Sequence, residues 1–118
     1  MANAGGGRSV GAFVKGDVVV VPFPFSNLKA VKRRPALVLV DLPGDDLILC
    51  QITSQTVNDD LAVTIDIQDI LGGSLTKISS ARTNKLFTIE ASLVAYKVGS
   101  LKDDILNEII DKLVSLLK

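Results

Sequence analysis

The sequence contains no histidine and no tryptophan, and only one cysteine and one tyrosine. Without histidine, Ser-His-Asp triads, histidine acid–base pairs and nearly all zinc enzyme designs are excluded. Any proton transfer must run through Arg, Lys, Asp, Glu, Tyr or the substrate itself. Cys50 alone makes no internal disulfide, and its flanks Leu49 and Ile52 read as a strand. A buried free thiol suits a reducing compartment. Residues 1–7 lack the apolar core of a secretion signal. These two features predict a cytoplasmic location. No apolar run approaches the ~20 residues that span a bilayer, so no membrane association is expected. Net charge is also missing: 13 basic residues balance 13 acidic ones. Composition alone therefore does not point to nucleic acid.

What is present is apolar. Of 118 residues, 47% are hydrophobic, which suits a folded core and excludes a disordered chain. The length predicts one domain over residues 13–118, after a flexible glycine-rich lead over residues 1–12. Charge is segregated along the chain. Lys29, Lys32, Arg33 and Arg34 crowd one short stretch. From Asp41 to Asp69 every charged residue is acidic, and Lys77, Arg82 and Lys85 then restore a basic stretch.

The pattern of elements is mainly β. Val18 to Val21 is a β-branched strand that Pro22 is expected to close, and Phe23-Pro24-Phe25 is expected to be irregular. A basic loop, Leu28 to Arg34, leads to Pro35 and a strand over Ala36 to Val40. Pro43-Gly44-Asp45-Asp46 is a turn signal, and Leu47 to Thr53 completes a hairpin. Alternation from Leu61 to Ile67 predicts a further strand. Leu75 to Ala81 reads as a short strand, Arg82 to Lys85 as a bend and Leu86 to Ile89 as another strand. Leu93 to Val98 fits either an extended segment or a short helix, with Gly99 as the break. Ser100 as N-cap and Asp103 in the first turn predict a terminal helix. Its apolar stripe runs through Ile105, Leu106, Ile109, Ile110, Leu113, Val114 and Leu117. Short strands around a small core with one C-terminal helix predict a compact barrel, because closure removes exposed edges.

Four features could carry chemistry. Pro35 restricts Arg34 to extended backbone at a strand mouth, where its guanidinium can clamp a phosphate with paired donors. An ordinary solvated basic loop explains the same residues. Thr53 and Ser54 put hydroxyls where an apolar strand ends. They can donate to a phosphate near Arg34, or simply satisfy the strand end. Ser79 to Lys85, with Arg82 and Lys85, can line an RNA groove or form an exposed hairpin. Phe23 and Phe25 offer stacking platforms for bases, or pack in the core. The pairs Asp45-Asp46, Asp59-Asp60 and Asp103-Asp104 are poor chelates, because adjacent strand residues face opposite ways. No metal and no cofactor are expected.

In order and spacing these segments resemble the MazF/PemK family of toxin endoribonucleases. The resemblance rests on Lys15-Gly16-Asp17-Val18-Val19, Pro22-Phe23-Pro24, Arg34-Pro35-Ala36-Leu37-Val38-Leu39 and Ile52-Thr53-Ser54. Leu86-Phe87-Thr88-Ile89 and Val98-Gly99-Ser100-Leu101 follow in the expected order, so it spans about residues 15–117. It implies a mainly β fold with α additions, an SH3-like barrel with a C-terminal helix, assembled as a homodimer. It also implies metal-independent, sequence-selective cleavage of single-stranded RNA by 2′-OH transesterification. Arg34 and Thr53 take the places of the family's catalytic residues. Phe23, Lys29, Lys32, Arg33, Ser54, Arg82 and Lys85 are the expected RNA contacts. A cognate antitoxin protein is the implied partner, with operator DNA bound through their complex. The alternative is a non-catalytic nucleic-acid- or protein-binding module, or a gyrase-poison-like toxin, of the same fold. Dependence on Arg34 and Thr53 separates the two readings.

Overall fold

The computed structural model describes residues 13–24, 31–55 and 57–118. The proposed lead over 1–12, Phe25 and Lys29 lie outside these residues. Seven strands occur among the described residues: β1 (Asp17–Pro24), β2 (Val31–Asp41), β3 (Asp46–Thr53), β4 (Ala62–Ile65), β5 (Ile70–Leu71), β6 (Ser79–Glu90) and β7 (Tyr96–Leu101). One helix, α1 (Asp103–Leu117), ends the chain. Among the described residues no helix is long and apolar enough to cross a membrane. The strands form one sheet in the order β4-β6-β3-β2-β1-β7-β5. Every pairing in it is antiparallel. The sheet curls into a half-barrel, the mainly β architecture with a C-terminal helix that the sequence predicts.

Side chains leave a strand alternately to its two faces, and here both faces are covered. Val18, Leu37, Cys50 and Ile52 pack with Leu106, Ile109 and Leu113 of α1. Val19, Val21, Ala36, Val38, Leu47 and Leu49 form a second core on the other face, covered by Phe13, Phe87 and Ile89. The uninterrupted valines of β1 follow from this double burial. A strand with one wet face would alternate. Of the predicted helical stripe, Ile109 is fully buried, whereas Val114 and Leu117 are exposed. Cys50 Sγ donates to the Arg82 carbonyl at 3.0 Å. Burial pushes its thiol up from 9.0 to about 12, outweighing the lowering by that hydrogen bond.

Several expected boundaries move. β1 does not close at Pro22 but continues through Pro24. The Val20 carbonyl accepts from Ala95 N–H, so Val20 turns its backbone toward the β7 side. Pro22 and Pro24, two and four residues on, turn the same way. The β1–β7 ladder ends at Val20↔Tyr96, so among the described residues β7 does not ask for the N–H that proline lacks. The extended β1 in turn gives the basic stretch a strand to pair with. Phe23↔Lys32, Pro22↔Arg33 and Val21↔Arg34 are registered pairs, so these cations lie in β2 and not in a loop.

The predicted bend at Arg82 to Lys85 is instead part of the 12-residue β6. The register jumps from Cys50↔Leu86 to Gln51↔Arg82, so a bulge absorbs the extra residues without breaking the strand. Leu75 to Ile78 lie outside any strand. Residues 91–93 form a 3-10 turn before β7, which includes Gly99 opposite Val18. Gly99 does not break the strand. It makes room for β5, since a Cβ there would stand 2.6 Å from the Leu71 carbonyl oxygen. Ser100 is likewise in β7, and its hydroxyl donates to the buried Asp17 carboxylate at 3.2 Å instead of capping α1. Lys102 occupies the cap position and makes no side-chain cap hydrogen bond.

Candidate active site

Arg34 and Thr53 meet where β2 and β3 separate. The ladder between these strands ends at Ala36↔Gln51. The Val38 carbonyl accepts from Gly16 N–H, so Val38, Ala36 and Arg34 turn their backbones toward β1. Pro35, of opposite parity, faces β3, where it has no N–H to donate. The ladder stops at this residue, and the strand ends part. Continued two residues further, the register sets Arg34 opposite Thr53. Arg34 shares parity with Ala36 and Val38, and Thr53 with Leu47 and Leu49, so both side chains leave on the same face.

A cavity of about 130 Å³ opens at this point, lined by Arg34, Pro35, Ile52, Thr53, Ser54, Leu75, Thr76, Lys77 and Ser79. Two cations and four hydroxyl groups converge there, and none of these lining residues is acidic. Arg34 is half-buried between its neighbours on β1 and β3. Thr53 Oγ1 accepts from Gln55 N–H at 3.2 Å. That bond uses a lone pair and leaves the hydroxyl proton available to donate. Thr53 therefore both satisfies its strand end and offers a donor to the cavity. Ser54 is exposed at the rim.

The other expected contacts are more scattered. Phe23 meets Phe87 edge-on, with centroids 5.0 Å apart and planes at 78°. Neither ring lines the cavity. Lys32 and Arg33 are exposed along β2, outside the cavity lining. Arg82 pairs with Asp59 at 3.5 Å, and Lys85 is exposed where β6 bulges. Lys29 lies outside the described residues. Sequence reasoning missed Thr76 and Lys77 as site residues. Ser79 was visible only as part of a polar stretch.

None of the residues lining this opening is acidic, and three aspartates gather at the other end of the hairpin. Asp41, Asp45 and Asp46 surround the far end of the β2–β3 hairpin, where Gly44 takes φ +82° to make the turn. Asp46 and Thr53 bound opposite ends of β3, about 23 Å apart at the usual rise per residue. Among the described residues, no group of three or more Cys, Asp or Glu side chains gathers as a metal site would require.

This arrangement of sheet and helix occurs in known proteins. The family model described as PemK-like, MazF-like toxin of type II toxin–antitoxin systems matches residues 14–117. MazF of Deinococcus radiodurans superposes with a TM-score of 0.69 at 25% identity, covering 90% of this chain and 96% of that one. In the MazE–MazF structure of the same organism, the matched chain gives a TM-score of 0.71 at 23% identity, with coverage of 90% and 96%. A mycobacterial endoribonuclease in complex with its cognate antitoxin gives 0.69 at 14% identity, with 90% and 95% covered. No curated protein sequence matches. The match to the family model over nearly the whole chain is decisive: this protein belongs to the PemK-like, MazF-like toxin family of type II toxin–antitoxin systems.

Proposed function

We propose that this toxin-family protein is an endoribonuclease that cuts single-stranded RNA by intramolecular transesterification, without a metal. The observation that carries the proposal is the convergence of Arg34 and Thr53 on one cavity that is free of acidic lining. The substrate's 2′-oxygen forms a bond to the adjacent phosphorus as its proton leaves. The bond from phosphorus to the 5′-oxygen breaks, and that oxygen takes up a proton. The products are a 2′,3′-cyclic phosphate and a 5′-OH end.

Nucleophile and phosphate already belong to one molecule, so the protein needs only to align them and stabilise the added negative charge. The Arg34 guanidinium holds the non-bridging oxygens through paired donors. The Thr53 hydroxyl donates to a phosphate oxygen. A guanidinium is a fork of donors with no acceptor, so Arg34 acts by charge and alignment. DNA lacks the 2′-OH and is not cut. The same reading assigns a cytoplasmic homodimer held in check by a cognate antitoxin protein, with operator DNA bound through their complex.

The test is a cleavage assay on a long single-stranded RNA in the presence of a chelator. The unaltered protein should release cyclic phosphate ends. Arg34→Ala should keep its circular dichroism spectrum and lose about 10²–10³-fold in rate, as expected for removing a charge-stabilising donor. Absence of cleavage by the unaltered protein across varied RNA would reject the reading. Equal cleavage by both forms would reject the role of Arg34.

A further inference from the structure

We infer that Lys77 is a substrate-binding residue of this site, holding an RNA phosphate at the mouth of the Arg34–Thr53 cavity. The inference rests on the ribonuclease reading of the cavity. Lys77 lies in the irregular segment between β5 and β6, which the fold anchors in two places. Leu75 packs against the core beneath α1. The buried Ser79 closes the segment by donating its hydroxyl to the Lys77 carbonyl at 3.0 Å. The backbone of Lys77 is therefore held at the rim while its side chain stays exposed.

Its charge is also uncommitted. Lys77 makes no ion pair among the described residues, whereas Arg82 pairs with Asp59 and Lys97 with Asp17 at 3.1 Å. Lys112 Nζ is bound to the Asp60 carbonyl at 2.7 Å. Of the basic stretch Lys77, Arg82 and Lys85, only Lys77 lines the cavity. Lys77 stands on the same opening as Arg34, so a polyanion entering it meets a second cation. An RNA strand supplies one phosphate for Arg34 and a neighbouring one for Lys77. An exposed ammonium on a flexible stem suits a phosphate held equally before and during reaction. Lys77 thus contributes to binding and not to the chemical step.

The probe is a single-stranded 2′-O-methyl RNA, which keeps the phosphates and lacks the nucleophile. Binding is measured from 50 to 200 mM salt for the unaltered full chain, Lys77→Gln, Lys77→Arg and Lys112→Gln. Lys77→Gln should weaken binding and lower the slope of log affinity against log salt by about 0.7, the value for one lost phosphate contact. Lys77→Arg should restore the slope, and Lys112→Gln should leave it unchanged. On cleavable RNA, Lys77→Gln should raise KM and leave kcat alone.

An unchanged slope in Lys77→Gln, or an equal drop in Lys112→Gln, would overturn the inference. So would a fall in kcat at constant KM. In these cases the unaltered protein still cleaves, and the ribonuclease reading stands. If the unaltered protein neither binds nor cleaves RNA, both fall together.

Discussion

Replacing Pro35 with alanine should close the candidate site while leaving the fold nearly as stable as before. Pro35 faces β3 from the residue after Arg34, and the β2–β3 ladder ends beside it at Ala36↔Gln51. Continuing that register by one residue sets position 35 opposite Ile52. Alanine there supplies an N–H directed toward the Ile52 carbonyl. One new backbone hydrogen bond is worth about 0.5–1.5 kcal/mol net. Losing proline returns about 0.4–1 kcal/mol of conformational freedom to the unfolded chain. The two nearly cancel, so the urea midpoint should correspond to a stability change within about 1 kcal/mol.

The cost falls on function. Arg34 and Thr53 would be drawn into a paired register, narrowing a cavity of about 130 Å³. A displacement of about 1 Å in a positioning residue costs roughly 10²-fold in rate. Two readouts are needed together: hydrogen exchange at the residue 35 amide, and cleavage of single-stranded RNA in chelator. A protected amide with a strongly reduced rate is the expected pair. A protected amide with full activity would refute the idea that ladder termination opens the site. An unprotected amide would refute the assignment of position 35 to the β3 side.

Two other predictions concern the core. Ile109 is fully buried between α1 and the sheet. Ile109→Ala should cost about 2–5 kcal/mol, and Ile109→Asp more because it also buries a charge. Val114→Asp, on the same helix but exposed, should cost under about 1 kcal/mol in a urea titration. Equal effects at the two positions would contradict the packing described. Cys50 makes stability depend on alkaline pH. Its thiol is raised to about 12 in the fold from a value of 9.0 for the free group. Between those values the unfolded chain releases the proton while the folded chain keeps it, so stability declines as pH rises through the window. The decline reaches about 1.4 kcal/mol per pH unit and should be missing from Cys50→Ala, as urea midpoints would show. Identical pH slopes for the two proteins would contradict this.

The elements that the sequence announces are those set by local chemistry. The turn at Gly44 and the apolar stripe through Leu106, Ile109 and Leu113 need no distant partner to be recognised. The errors share one cause: a residue's role there depends on what lies across a strand. Pro22 and Pro24 look like terminators, yet they sit in a strand because β7 has already ended on their side. Gly99 looks like a break, but it is the gap through which β5 approaches. Ser100 looks like a cap, but Asp17, far away in sequence, claims its hydroxyl. Arg34 and Thr53 stand out in the sequence as candidates because each ends an apolar strand, but only the family resemblance lifts them above an ordinary basic loop and strand end. Lys77 does not stand out, because its place at the rim depends on the anchors at Leu75 and Ser79.

The zero net charge is a further case in which an average hides geometry. The β2–β3 hairpin carries Asp41, Asp45 and Asp46 around its turn, and Arg34 at its open end. These ends lie about 23 Å apart. The Debye length at physiological salt is about 8 Å, so exposed charges at one end scarcely act at the other. A phosphate at the cavity mouth meets Arg34 and Lys77 and is screened from the acidic turn. Net charge governs how whole molecules steer one another at long range. It says little about a cavity smaller than the screening length. A balanced composition therefore weighs against rapid long-range capture of RNA and not against binding at the site. On this argument, reversing Asp45 or Asp46 should alter association rates at low salt and leave the affinity at physiological salt nearly unchanged.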